Sequence, residues 1–149
     1  MNSHRLISIA AAGLVALAAG AGIASGQTGN TTLALTAKPT GGSGLDLGHK
    51  GTSVGDQFFE RGTLSGAAAG RFQLVTQLVA GNARHGTEQS EITVFVKHGT
   101  IEAAGAHGTR SHYVMPVVGG TGAYRGASGE LAVAPGKHGS EQVTITLSP

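Results

Sequence analysis

Beyond Thr31 the apolar residues of this chain recur at every second position. In Arg71–Val79 (RFQLVTQLV), Phe72, Leu74 and Leu78 fall on one face and Arg71, Gln73 and Gln77 on the other. Glu91–Lys97 (EITVFVK) groups Ile92, Val94 and Val96, and Glu141–Leu147 (EQVTITL) alternates Val143, Ile145 and Leu147 with Gln142, Thr144 and Thr146. A period of two sends alternate side chains to opposite faces of a β-strand, whereas a helix repeats every 3.6 residues. The runs TTLALTA, DQFFERGTL, TIEAAG, HYVMPVV and ELAVA bring the total to about eight strands, and nothing beyond the first 24 residues has helical periodicity. Short strands at regular spacing with Gly-rich turns predict an all-β barrel or sandwich. Two polar, Gly-rich segments, Lys38–Gly55 and Ala80–Ser90, are expected as rim or lid loops. His98–Gly99 is expected as a two-residue hairpin turn in which Gly supplies positive φ.

The first residues follow a different pattern. Met1–Arg5 carries one positive charge, Leu6–Ala24 is apolar and rich in Ala and Gly, and Ala24 and Gly26 offer small residues for cleavage. The expectation is a cleavable signal peptide over residues 1–26 and a single domain over 27–149, secreted to the extracellular space. A membrane partner is expected only if the signal stays uncleaved, since its length approaches the ~20 apolar residues of a span. Without Arg5 the chain has nine Lys/Arg against eight Asp/Glu, a balance that argues against a nucleic-acid partner. There is no cysteine, so disulfides and thiolate chemistry are excluded, and the absence of Trp weakens a base- or sugar-stacking role.

The segment Val117–Glu130 (VVGGTGAYRGASGE) concentrates glycine as a phosphate-binding loop does. It fits neither template. No Lys follows Gly126 as a P-loop requires, and from Gly120 and Gly122 the third Gly of a dinucleotide fingerprint would fall on Arg125. Both motifs also need a helix to start at the loop, whereas GELAVAPG continues as a strand. The glycines Gly119, Gly120, Gly122 and Gly126 therefore predict a tight strand-to-strand corner that presents Tyr124 and Arg125.

This corner, MPVVGGTGAYRGASGEL, resembles the signature turn of the dirigent and allene oxide cyclase barrel families, where Gly-Gly-Thr-Gly-x-Tyr/Phe-Arg precedes Ala-Arg-Gly. Upstream, GTSVGDQFFERGTL, GRFQLV and EITVFVKHGTIEAAG are similar to the families' successive strands in the same order, so the resemblance spans about Leu45–Leu147. It implies an eight-stranded antiparallel β-barrel, commonly a homotrimer, holding an apolar small molecule in a cavity and acting without a cofactor. Dirigents steer radicals made elsewhere and the cyclases close an unstable epoxide, both largely by positioning. Two departures bear on the transfer of that chemistry. The families' Ala-Arg-Gly reads Ala127-Ser128-Gly129 here, and the cysteine pair of plant dirigents is missing.

Candidate site residues are few. Tyr124 and Arg125 are candidate substrate-binding residues, offering a hydroxyl and an anion partner. Asp56, at a strand start after Gly55, is a third candidate, or a turn acceptor for backbone N–H groups. Arg71, Gln73 and Gln77 with Glu91, Thr93 and Glu102 make a polar wall, expected outside because the opposite faces are more apolar. The six histidines after the signal (His49, His85, His98, His107, His112 and His138) are scattered beside turns, so no metal site is expected. No catalytic residue is assigned. Two functions stay open: a small-molecule-binding barrel acting as a cofactor-free cyclase or stereochemical guide, and a non-catalytic secreted scaffold or surface-interaction protein. A packed lumen favours the second, and a pocket reaching Tyr124 the first.

Overall fold

The computed structural model describes residues 29–149, and the segment read as a signal peptide lies outside them. Eight strands follow one another: β1 (Thr31–Leu45), β2 (Gln57–Gly66), β3 (Gly70–Gly81), β4 (Gly86–Val96), β5 (Gly99–Gly108), β6 (Tyr113–Gly120), β7 (Gly129–Pro135) and β8 (Glu141–Leu147). Each pairs antiparallel with the next, and β8 returns to β1 with Thr31 opposite Leu147 and Ala37 opposite Glu141. The sheet is thus a closed antiparallel barrel rather than a sandwich.

Antiparallel order gives the barrel two distinct ends. Turns β2–β3, β4–β5 and β6–β7 lie at one end with the chain termini of the barrel, and β1–β2, β3–β4, β5–β6 and β7–β8 lie at the other. Toward the first end the inward positions are aliphatic or aromatic. Leu33, Leu35, Leu64, Phe72, Ile92, Val94, Ile101, Met115, Leu131, Val133, Val143 and Ile145 form one buried cluster there. Register stacks them in layers: Ile145 lies between Leu33 and Leu131, and Val143 between Leu35 and Val133. This end is packed. The polar wall lies outside, as the apolar periodicity required, with the Arg71 guanidinium 4.6 Å from the Phe95 ring centre.

The loop expectations need correction. β1 runs on to Leu45, so only part of Lys38–Gly55 is loop, and β4 starts at Gly86, well inside Ala80–Ser90. Residues 38–45 pair with β2 alone and are largely exposed, so no apolar alternation marks them as strand. In β4 the inward positions Glu88 and Ser90 are polar, which hides the period. The hairpin turn is Lys97–His98, with Val96 opposite Gly99.

Gly99 has another reason to be glycine. Its φ is +150°, and a Cβ there would collide with the carbonyl oxygen of Thr121 in the β6–β7 corner. That corner is a short 3-10 turn, Gly122–Tyr124, laid against the β4–β5 hairpin. Ala123 N–H donates to the His98 carbonyl at 2.9 Å, and the Thr100 and Thr121 hydroxyls are 2.9 Å apart. Gly122 takes φ +61° and has no room for a side chain beneath His98, whereas Gly119 faces open space and nothing in the structure requires glycine there.

Candidate functional site

Inward parity continues along every strand, but its chemistry changes toward the second end. On β2 the inward row passes from Leu64 and Gly62 to Glu60; on β3, from Phe72 and Leu74 to Thr76. On β4 it passes from Val94 and Ile92 to Ser90 and Glu88, and on β5 from Ile101 and Ala103 to His107. Tyr113 precedes Met115 on β6, and Glu141 precedes Val143 on β8. The result is a polar level in the lumen at the open end. Among the described residues, no Lys or Arg occupies an inward strand position.

A hydrogen-bonded chain organises one side of this level. His107 Nδ1 lies 2.9 Å from the Gly108 carbonyl oxygen, which only accepts, so Nδ1 carries the proton. In the neutral ring Nε2 then accepts from the Ser90 hydroxyl at 2.8 Å, and Ser90 Oγ accepts from the Thr76 hydroxyl at 2.8 Å. The His107 ring stacks on Tyr113 with centroids 3.9 Å apart and planes 6° from parallel. Glu88 Oε2 stands 4.0 Å from His107 Nδ1, and the imidazole side chain is only 6% exposed. Ring position, tautomer and hydroxyl rotamers are thereby fixed together.

The carboxylates cover the rest of the level. Burial pushes the Glu60 carboxyl above the usual range. It does the same to Glu88, opposed in part by the nearby His107. Glu141 is raised by burial and then by the charge of Glu60. The Tyr113 phenol is pushed well up, by burial first and then by Glu141, Glu60 and Glu88. Removing a carboxylate from water without a cation disfavours its charged form, so all three hold a proton to higher pH than an exposed glutamate does.

The residues singled out from the sequence do not assemble. Asp56 is buried and closes the β1–β2 loop, its carboxylate accepting from the N–H groups of Leu47 (2.9 Å), Gly48 (3.2 Å) and Ser53 (2.7 Å). Those bonds, led by Ser53 and Leu47, hold its carboxyl below the usual range. It acts as the turn acceptor of the two readings. Tyr124 packs on the apolar core at the opposite end, and Arg125 beside it is exposed. Of the described histidines, only His107 faces the lumen: His49, His85, His112 and His138 sit in the four open-end loops and His98 in the β4–β5 turn. Among the described residues no group of three His, Asp or Glu could hold a metal ion.

No family model and no curated protein matches this sequence. Solved structures do. Pyocyanin demethylase superimposes with a TM-score of 0.73 at 24% identity, over 79% of this chain and 100% of that one. A Diels-Alderase from Streptomyces koyangensis gives 0.60 at 14% identity, over 83% of this chain and 69% of that one. A pterocarpan synthase dirigent protein gives 0.57 at 15% identity, over 79% and 91% respectively. The class defined by the architecture is therefore the closed barrel shared by dirigent proteins and cycloaddition enzymes. The resemblance carried by the glycine corner holds at the level of the fold.

Proposed function

We propose that the protein is an exported small-molecule-binding barrel whose site is the polar level of the lumen at the open end. The observation that carries this reading is the set of partly buried carboxylates, Glu60, Glu88 and Glu141, with no Lys or Arg among the described residues facing them across the lumen. Such an arrangement costs stability, and groups held so are characteristic of sites that do chemistry. Proteins named for acting on small organic molecules share the barrel, which supports the same reading.

The substrate on this reading has an apolar body, held beside Leu74 above the packed layers, and a polar end that donates hydrogen bonds or carries positive charge toward the carboxylates. This modifies the wholly apolar substrate expected from the aliphatic faces alone. Glu60 and Glu141, unable to ionise together without mutual repulsion, serve as proton donor and acceptor, and Tyr113 on His107 forms a flat wall that orients the substrate. The reaction class is a cofactor-free cyclisation or isomerisation, driven by positioning and one proton transfer.

Native mass spectrometry of the protein isolated from its own source tests this. A small molecule retained by the native chain and lost in Glu60→Gln and Tyr113→Phe supports the site. Retention unchanged in both variants refutes it. The second reading, a non-catalytic interaction barrel, draws on the packed half, where Tyr124 lies against the apolar core; a chain that never carries a ligand favours it.

A further inference from the structure

The loops around the open end carry a feature that the lumen does not use. Each of the four contributes one exposed cation: Lys50, Arg84, Arg110 and Lys137. They face only one exposed carboxylate in those loops, Asp46, since Asp56 is buried in its turn. On or beside the β1–β2 loop stand large apolar side chains that the fold leaves in water: Leu47 is 60% exposed, Val54 50% and Leu45 48%, with Val79 at 43% close by. The opposite end has two cations in its turns, Lys97 and Arg125, and one apolar side chain of like exposure close to those turns, Val118 at 59%.

Cations spread around the mouth, with exposed aliphatic side chains on one of its loops, are the chemistry of a surface that settles on anionic lipid. The aliphatic groups enter the boundary between headgroups and acyl chains while the cations meet the phosphates. The cations are spread over all four loops rather than gathered beside the apolar β1–β2 loop, which suits a broad anionic surface better than a single protein groove. We infer that the open end docks on an anionic lipid bilayer, with the β1–β2 loop (residues 46–56) inserted and the mouth of the lumen against the lipid. The inference stands on loop residues outside the lumen and holds or falls independently of the site proposed there.

Docked this way, the lumen opens onto the phase in which a lipophilic molecule dissolves. A substrate enters from the bilayer without crossing water.

Vesicle co-sedimentation tests the docking, on the chain from Gln27 onward, whose barrel closes on itself. Vesicles of phosphatidylglycerol and phosphatidylcholine are compared with phosphatidylcholine alone. Binding to the first and not to the second is expected. At about fivefold per cation removed, Arg84→Gln with Arg110→Gln weakens it roughly 25-fold. Leu47→Asp with Val54→Asp, both at exposed positions, abolishes it while circular dichroism stays unchanged, and Lys97→Gln with Arg125→Gln leaves it intact. Equal binding to neutral vesicles, no binding to either, or insensitivity to the Leu47 and Val54 changes overturns the inference. Retention on dextran sulfate that survives Leu47→Asp with Val54→Asp, without vesicle binding, assigns the cations to a soluble polyanion instead and also overturns it.

Discussion

Ser90→Ala is the most informative single perturbation of the lumen. Ser90 is 1% exposed, and its hydroxyl makes two bonds of 2.8 Å, donating to His107 Nε2 and accepting from Thr76. Losing two net hydrogen bonds costs about 2 kcal/mol, and leaving the buried Nε2 without a donor adds about 1 kcal/mol more. The expected loss is therefore about 3 kcal/mol, or roughly 10 °C in Tm for a domain of this size. Thr76→Val alone removes one bond and costs about 1 kcal/mol. In the double variant the Thr76 bond is already gone, so the cost stays near that of Ser90→Ala, about 1 kcal/mol short of additivity. Urea unfolding reads this as a shift in midpoint at constant slope. A Ser90→Ala loss below about 0.5 kcal/mol, or strict additivity in the cycle, would refute the claim that the three side chains act as one chain.

Other expectations follow from the same structure. Glu141 has a folded-state carboxyl raised above its ordinary value of 4.5, so its contribution is fully present below that pH and is lost as pH rises through the raised value. Glu141→Gln should therefore raise Tm at pH 7 and leave it nearly unchanged at pH 4, as calorimetry at the two pH values would show. Asp56 has the opposite sign: lowered from 3.8, it stabilises above that value and loses its effect as pH falls through the folded one. Asp56→Asn should speed proteolysis within residues 46–56 at pH 7 and reduce the difference between pH 7 and pH 3. Gly99→Ala forces a Cβ onto the Thr121 carbonyl at φ +150°, and thermal melts should show a loss of about 2 kcal/mol or more.

The barrel was legible wherever one face of a strand enters the apolar half. Phe72 and Leu74 on β3, or Val143 and Ile145 on β8, stand against polar neighbours and declare both the strand and its inner face. The polar level was not legible for the same reason in reverse. Glu88 and Ser90 face inward but sit among Thr87, Gln89 and Glu91, so the period continues without contrast. Glu60, His107, Tyr113 and Glu141 lie on four different strands, and no local spacing joins them. The available signal was parity: extending each apolar row toward the end that carries the β1–β2, β3–β4, β5–β6 and β7–β8 loops brings these residues to one level. The glycine corner drew attention to Tyr124 and Arg125 because its backbone demands are written locally, yet those demands serve packing at the other end.

The pairing of Thr31 with Leu147 places both ends of the barrel's chain at the packed end, away from the mouth. Whatever is joined to either terminus is thus held a barrel's length from the site. A tag, a fusion partner or a surface tether leaves the mouth unobstructed, and joining the two ends while opening a mouth loop would give a permuted chain with the same barrel.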